Sequence, residues 1–385
     1  MREFASPSQK VPIRIWANRI DRDALTQLEA LARSDCLAGP IAVMPDVHSA
    51  GDVCVGTVLA TRDVIFPTAI GEDLGCGMAV ERLSLTAGEF TRPQLFAIIK
   101  QIEQAVPAGR RSHPCPQELP DTILQPLSTR SLEHQRDGIG ARHFGTLGGG
   151  NHFIELQRDA SDGLWVTVHC GSRGIGAAIA GHHARVAHLQ PATRKLLSLR
   201  AGTSEFDAFW VDLNWALTYA AENRRRIHDC VRTVLAAWCQ KPIDVVERFD
   251  VGHNTITREE HGGEELLIHR KGAMPAAAGA RGVVPGSMGT ASYIVEGLGC
   301  ELSYRTCSHG AGRQLSRQEA RRKINLAQLR REMGDVVYSQ NEHLERSLVE
   351  EAPSAYKPLK TVMREQTDLI RPVLMLKPIA VVKGG

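Results

Sequence analysis

The feature that most constrains how this chain can fold is an unbroken helical pattern over residues 204–239. Phe209, Leu213, Ala216, Leu217, Ala220, Ile227, Val231, Val234, Leu235 and Trp238 recur at helical spacing, and the pattern stops before Pro242. That stripe reads as core. A shorter helix is expected over 22–34, where Asp21 can cap and Leu25, Leu28 and Leu31 share a face. Another is expected over 92–106, with Thr91 as cap and Pro93 in the first turn, where its missing N–H costs nothing. Strand-like runs at 41–48, 53–60, 164–169, 265–269 and 373–382 mix with these helices in no regular alternation. The order predicts an α+β fold and not a doubly wound sheet. No linker rich in Pro, Gly or Ser divides the 385 residues, so 1–385 is expected to form a single large domain, mixed β-sheets with flanking helices.

A hydrophobic share of 43% suffices for a real core. No run approaches the ~18 apolar residues of a membrane span, and no basic-then-apolar leader opens the chain. The expected setting is cytoplasmic, with no membrane partner. Nine cysteines without CxxC pairs give neither a disulfide framework nor a zinc ribbon, and they read as reduced thiols, mostly in the core. A formal net charge of +3 is compatible with nucleic acid without requiring it.

Gly-rich stretches at 145–150, 171–176 and 309–312 all lie beside histidines, which points to loops shaping one site. In Asp73-Leu74-Gly75-Cys76-Gly77-Met78, glycines around a cysteine let a carboxylate and a thiolate three residues apart face one cation. A buried structural thiol at a turn would look the same. Gly148-Gly149-Gly150-Asn151-His152-Phe153-Ile154-Glu155 offers consecutive backbone N–H groups to a phosphate and sets His152 and Glu155 beside them. It is neither a Walker loop nor a Rossmann fingerprint, and a hairpin with an ordinary hydrogen-bonded histidine is the plainer alternative. The run Trp165 to Gly174 delivers His169 at a strand end into a turn where Arg173 could clamp a phosphate, and Phe249 to Asn254 repeats the pattern with His253. Together Asp73, Cys76, His152, His169 and His253 form an O, S and N ligand set large enough for two divalent ions with the thiolate bridging. Zinc, iron, cobalt and manganese all suit it. Ligand softness alone favours zinc.

Residues 269–317 supply small side chains that let a nucleotide approach backbone amides. Lys271 and Arg313 offer charge against phosphate, and His309 offers a nucleophilic nitrogen among glycines. A small-residue packing seam is the alternative. The basic runs Arg224-Arg225-Arg226, Arg321-Arg322-Lys323 and Arg330-Arg331 read first as solvated helix faces, and only second as a track for a phosphate backbone.

Taken in order, MPDVH, GEDLGCGM, GTLGGGNHFIE, VHCGSRG, HN, RKGA, PGSMGTASYI, HGAGR with SR beyond it, and a lysine before the final glycines resemble the RtcB family of RNA-splicing ligases over nearly the whole chain. The resemblance implies a domain of the RtcB type built around a polar metal and nucleotide site. It implies two Mn²⁺ ions, one held by Asp73, Cys76 and His152 and the second by Cys76, His169 and His253. It also implies GTP surrounded by Asn151, Phe153, Ile154, Glu155, Asn254, Pro285, Gly286, Ser287, Met288, Ser292, His309, Gly310, Ala311, Gly312 and Lys383, with the ligands His152 and His253 at its edge. His309 would be the guanylated, catalytic residue. Members of this family join a 2′,3′-cyclic phosphate or 3′-phosphate RNA end to a 5′-hydroxyl end at the expense of GTP, in tRNA splicing or RNA repair. Some use an archease-type activator.

Asp46 and His48 of the MPDVH string could support a ligand or bind the RNA end, and a purely structural role is the equal alternative. The stretch Ser49 to Gly56 departs from the Gly-rich run usual after MPDVH, so the loop there is expected to differ in shape. The chief rival reading is a binuclear metallohydrolase, a phosphodiesterase or phosphatase that acts on RNA ends and needs neither GTP nor His309. A metal-bearing RNA-binding protein without guanylation is a third.

Overall fold

The computed structural model of the chain describes residues 1–189, 196–339, 345 and 347–384. The long apolar stripe forms one helix, Ser204–Cys239. Thr203 accepts from the Phe206 N–H at its start, and Gln240 ends it in the left-handed region, φ 51°, ahead of Pro242. The stripe is too long for one core and serves two. Phe206, Phe209, Leu213 and Ala216 pack with Ile65, Ile175 and Ile179, while Ile227, Val231 and Leu235 pack with Ile98, Ile102, Val166 and Val168.

The first helix, Arg22–Leu31, stops short of residue 34, and Asp21 Oδ1 caps it from 2.6 Å. The helix Arg92–Ala105 has Gln94 accepting from the Thr91 N–H at 2.8 Å. The expected strands appear as Ile41–His48, Val55–Thr61, Gly163–Cys170, Glu264–Lys271 and Ile370–Lys383. Two more, Gly77–Thr86 and Val245–Gly252, carry too many charges to stand out by pattern. Those charges neutralise one another across the packing: the buried Glu81 takes both Arg232 and Arg248 at 2.6 Å.

One six-stranded sheet runs Arg2–Phe4, Ile13–Ile15, Ile41–His48, Val55–Thr61, Glu264–Lys271, Asn254–His261. An eight-stranded sheet runs Val245–Gly252, Gly77–Thr86, Gly163–Cys170, Phe153–Arg158, Ile370–Lys383, Ser292–Gly297, Arg281–Val284, with Val337–Tyr338 alongside Ile370–Lys383. His253 alone separates Val245–Gly252 of the second sheet from Asn254–His261 of the first, so the two sheets meet there. A ribbon of Ala273–Pro275 with Thr306–Ser308 leads into His309. The result is the expected α+β arrangement, mixed helices and sheets in one large domain. Among the described residues no helix is long and apolar enough to cross a membrane. The thiols of Cys54, Cys76, Cys170 and Cys307 are buried.

Candidate metal and nucleotide cleft

Four neighbouring strands of the second sheet finish at one end of the sheet. Gly252 faces Gly77, Met78 faces His169, and His169 faces Phe153. His253, Cys76, His169 and His152 lie at or just beyond these strand ends, so the ladder gathers residues far apart in sequence into one row. The N–H groups of His253 and Asn254 donate to the Cys76 carbonyl at 2.8 and 3.3 Å. Gly171 admits Asp73 to the row, since a Cβ there would overlap the Asp73 carboxylate.

Two groups of ligand atoms result, Asp73–Cys76–His152 and Cys76–His169–His253, each within 4.8 Å and sharing the Cys76 thiol. His169 Nε2 lies 3.3 Å from both Cys76 Sγ and His253 Nε2. His152 Nε2 lies 3.4 Å from Cys76 Sγ and 2.9 Å from Asp73 Oδ2. Ligands held at roughly 2.0–2.3 Å around one tetrahedral ion stand about 3.3–3.7 Å apart, so the three spacings around Cys76 and His169 fit, while the His152–Asp73 pair is at hydrogen-bond distance and would have to open by a few tenths of an ångström. His152 Nδ1 is 2.9 Å from the Leu147 carbonyl, which can only accept, so Nδ1 carries hydrogen; Nε2 faces the Asp73 carboxylate and donates to it, and an ion would take the place of that hydrogen. Burial holds His169 and His253 well below the ordinary histidine range, in the neutral form a ligand needs. Burial, with Asp73 beside it, pushes the Cys76 thiol up to about 12, and a cation would have to draw out its charge.

Above this row opens a cleft of about 860 Å³, floored by Asp73, Cys76, His169 and His253. Of the residues the family resemblance implies around a nucleotide, Asn151, Phe153, Glu155, Lys383 and Pro285 to Met288 line the wall formed by the second sheet. Asn254, from the first sheet, and His309 to Gly312, after the two-stranded ribbon, line the cleft as well. Three others do not. His152 sits behind the floor, Ile154 is in the core with Ile98 and Val168, and the Ser292 hydroxyl pairs with Gln157. Burial pushes the Glu155 carboxyl up to about 8, with Lys383 opposing, and Gln157 donates to it at 2.7 Å.

His309 Nδ1 is 2.7 Å from Asp46 Oδ2, and the His309 N–H donates to the same oxygen at 3.2 Å. Its ring centroid is 4.6 Å from that of His253. Asp46 is fully buried, and Gly312, at φ 71°, lets the chain pass where a Cβ would overlap the Asp46 carbonyl. Asp46 therefore holds His309, a role the sequence reading did not give it. The signal was present: a carboxylate in the apolar strand Ile41–His48 demands a buried partner.

Three cations expected to face phosphate are engaged elsewhere. Lys271 reaches the cleft but donates to the Ala50 and Val53 carbonyls, closing the divergent loop after His48. Arg313 is occupied by Glu351, Tyr356 and the Glu350 carbonyl. Arg173 donates to the Thr146 hydroxyl at 3.3 Å and packs under the Gly148 turn. The basic runs also dissolve. Arg225, Arg321, Lys323 and Arg330 pair with glutamates, and Arg226, Arg322 and Arg331 are exposed. Arg224 is not on a solvated face: it is buried, pairs with Asp250 at 2.6 Å, and donates to the Gly75 and Cys170 carbonyls at 2.9 and 2.8 Å. It braces both ligand-bearing turns, and its place within a basic run hid that role.

An α+β scaffold that lines up two groups of potential metal ligands, sharing one thiol, beneath a carboxylate-held imidazole defines a protein with a metal-type site at the floor of a polar cleft. The comparisons with known proteins make the class specific. The family model described as tRNA-splicing ligase RtcB matches residues 27–134 and 122–384. The RNA-splicing ligase RtcB of Escherichia coli (strain K12) is 34% identical over 407 residues, covering 98% of this chain and 98% of that protein. The tRNA-splicing ligase RtcB of Thermococcus kodakarensis is 29% identical, over 89% of this chain and 87% of its own length. The RNA-splicing ligase RtcB of Mycobacterium tuberculosis is also 29% identical, over 89% and 96%. The chain belongs to the RtcB family.

Proposed function

We propose that this chain is a GTP- and Mn²⁺-dependent RNA ligase that joins a 3′-phosphate or 2′,3′-cyclic phosphate end to a 5′-hydroxyl end, through a guanylated His309. The observation that carries the reading is the Asp46–His309 pair, 2.7 Å apart and adjoining the ligand row. A carboxylate on Nδ1 fixes the hydrogen there and leaves Nε2 as a nucleophile. Asp73, Cys76 and His152 would hold one manganese, and Cys76, His169 and His253 the other. Bound there, the ions supply charge neutralisation and Lewis acidity for phosphoryl oxygens.

The nucleotide base and ribose would lie along Asn151, Phe153, Glu155, Asn254, Pro285 to Met288 and Lys383. His309 Nε2 attacks the α-phosphorus of GTP and pyrophosphate leaves. A cyclic end would first be opened by water, which breaks the P–O2′ bond and leaves a 3′-phosphate and a 2′-hydroxyl. A 3′-phosphate oxygen then takes the guanylyl group from His309, and the 5′-hydroxyl displaces GMP to form the 3′,5′-phosphodiester. A metallohydrolase could use the same imidazole as a general acid or base, so a covalent guanylyl group on His309 is what separates the two readings. The setting we propose is cytoplasmic, with 1–385 acting as one ligase domain, in tRNA splicing or RNA repair; an archease-type activator would speed the guanylation step.

The test is incubation with α-labelled GTP and Mn²⁺, with and without archease, for wild type and His309→Ala, followed by denaturing electrophoresis. An acid-labile label on the protein, absent from His309→Ala, is expected. Absence of label on the folded, metal-loaded wild type under both conditions would sink the reading in favour of the hydrolase.

A further inference from the structure

The cleft has a second wall, and none of the residues that the family resemblance implies around the nucleotide lies on it. It is formed by the start of the Arg22–Leu31 helix and the end of the Ile41–His48 strand, and it presents His48 to the cleft. The ring is fixed in a definite state. Its Nδ1 is 2.9 Å from the Asp46 carbonyl oxygen, which can only accept, so Nδ1 carries the hydrogen. In the neutral ring Nε2 is then a bare acceptor, and among the described residues none hydrogen-bonds it. The backbone that carries it is clamped as well: Lys357 Nζ donates to the Pro45 and Val47 carbonyls at 2.9 and 2.8 Å. Asp46 thus serves two histidines, its side chain holding His309 and its carbonyl holding His48.

Burial pushes His48 down to about 4, with His309 and Lys357 acting in the same direction and Asp46 against, so the ring is uncharged near neutral pH. Asp21, Arg22 and Asp23 complete the wall around it. A neutral acceptor selects its ligand by chemistry. Phosphate oxygens have no hydrogen to give and are repelled by the lone pair, whereas a hydroxyl is a donor and is attracted. Of the groups brought together when RNA ends are joined, the nucleophile is a hydroxyl.

We propose that His48 Nε2 receives the 5′-hydroxyl of the incoming RNA end, taking its hydrogen bond on docking and its proton as the new bond forms. The inference rests on the ligase reading above. In this step the hydroxyl oxygen bonds to the 3′-phosphate phosphorus, and the P–O bond to GMP breaks with its electron pair leaving on GMP. The proton passes to Nε2 and then to water, restoring the neutral ring. His309 has already given up its guanylyl group and takes no part.

The test follows labelled protein, activated RNA and joined product in one time course. It compares wild type, His48→Ala and His48→Gln, with Mn²⁺, GTP, a 3′-phosphate oligonucleotide and a 5′-hydroxyl oligonucleotide. Glutamine keeps an acceptor oxygen for docking but has no basic nitrogen, and thermal unfolding reports whether either variant is damaged. Conversion of activated RNA to product is expected to fall by about 100-fold or more in both variants. Activated RNA should accumulate, and the residual joining rate should climb with pH as hydroxide replaces the missing base. The same deficit is expected when the 3′-phosphate end is 2′-deoxy.

Three results would overturn the assignment. His48→Gln could join activated ends at the wild-type rate. Guanylation could fall as far as joining does, which marks a structural role through Asp46. The deficit could vanish with the 2′-deoxy end, which puts the 2′-hydroxyl on Nε2 instead. A wild-type protein that takes no label from GTP overturns the ligase reading itself, and this inference with it.

Discussion

Replacing Asp46 by asparagine changes one charge and almost no volume at the pair on which the ligase reading stands. Asp46 is fully buried, and its Oδ2 accepts from both His309 Nδ1 at 2.7 Å and the His309 N–H at 3.2 Å. The carboxylate requires hydrogen on Nδ1. A carboxamide does not, because its NH₂ face can turn toward the ring and move the hydrogen to Nε2, where the attacking lone pair should be. A hydrogen bond to a charged group contributes about 1.5–3 kcal/mol. At about 1.4 kcal/mol per tenfold, that loss alone slows guanylation by roughly 10- to 150-fold. Loss of the correct tautomer adds to it, as an Asp→Asn change behind a catalytic histidine can cost about 10⁴. The expected fall in the first-order rate of guanylation is therefore about 10² to 10⁴. The assay is a quenched time course with α-labelled GTP and Mn²⁺, repeated over GTP concentration to separate rate from binding, with thermal unfolding of both proteins alongside. Guanylation of Asp46→Asn at the wild-type rate would refute the reasoning, and Asp46 would then be only a strut between Gly56 and Gly312.

Cys76→Ser removes the atom common to both ligand groups, so gel-filtered protein should lose both ions together, whereas His253→Ala should lose one. Metal content by plasma mass spectrometry decides, and one ion retained by Cys76→Ser would refute the bridging thiolate. Lys271→Met deletes the donor to the Ala50 and Val53 carbonyls and should destabilise the fold by about 1–3 kcal/mol in urea unfolding. An unchanged midpoint would mean that the loop after His48 holds itself. Burial alone would raise the Glu81 carboxyl, but hydrogen bonds and charge from His228 and Arg232 bring it down to about 2 from the ordinary 4.5. A folded value below the unfolded one gives stability that is full above about pH 4.5 and is lost as pH falls toward 2; it amounts to at most about 3 kcal/mol, less where the exposed Arg248 is screened. The urea midpoint should fall between pH 6 and pH 3, and Glu81→Gln should flatten that fall.

The sequence was legible wherever the physics is local. The Ser204–Cys239 helix matches its apolar stripe end to end, because 3.6-residue periodicity and a left-handed stop before Pro242 are properties of neighbours along the chain. The Gly77–Thr86 and Val245–Gly252 strands were missed for the opposite reason. Their charges look solvated in one dimension and are neutralised by residues far away, as Glu81 is by Arg232 and Arg248. Arg224 was misread in the same way, as one of three surface arginines, when its partners Asp250, Gly75 and Cys170 come from three other segments.

The residues of the candidate site were nameable from motif order alone: Asp73, Cys76, His152, His169, His253 and His309 could all be written down before any fold was known. Their chemistry was not. What each nitrogen of His152 meets is decided by the Leu147 carbonyl and Asp73, and what Nδ1 of His309 meets is decided by Asp46. Whether Lys271 and Arg313 meet a phosphate or hold a loop is decided by which acceptors lie nearest their tips. The sequence by itself determined which donor and acceptor types the chain possesses. Only the tertiary structure decided who pairs with whom, because a hydrogen bond or an ion pair depends on distances of about 3 Å that strand order and sheet junctions set.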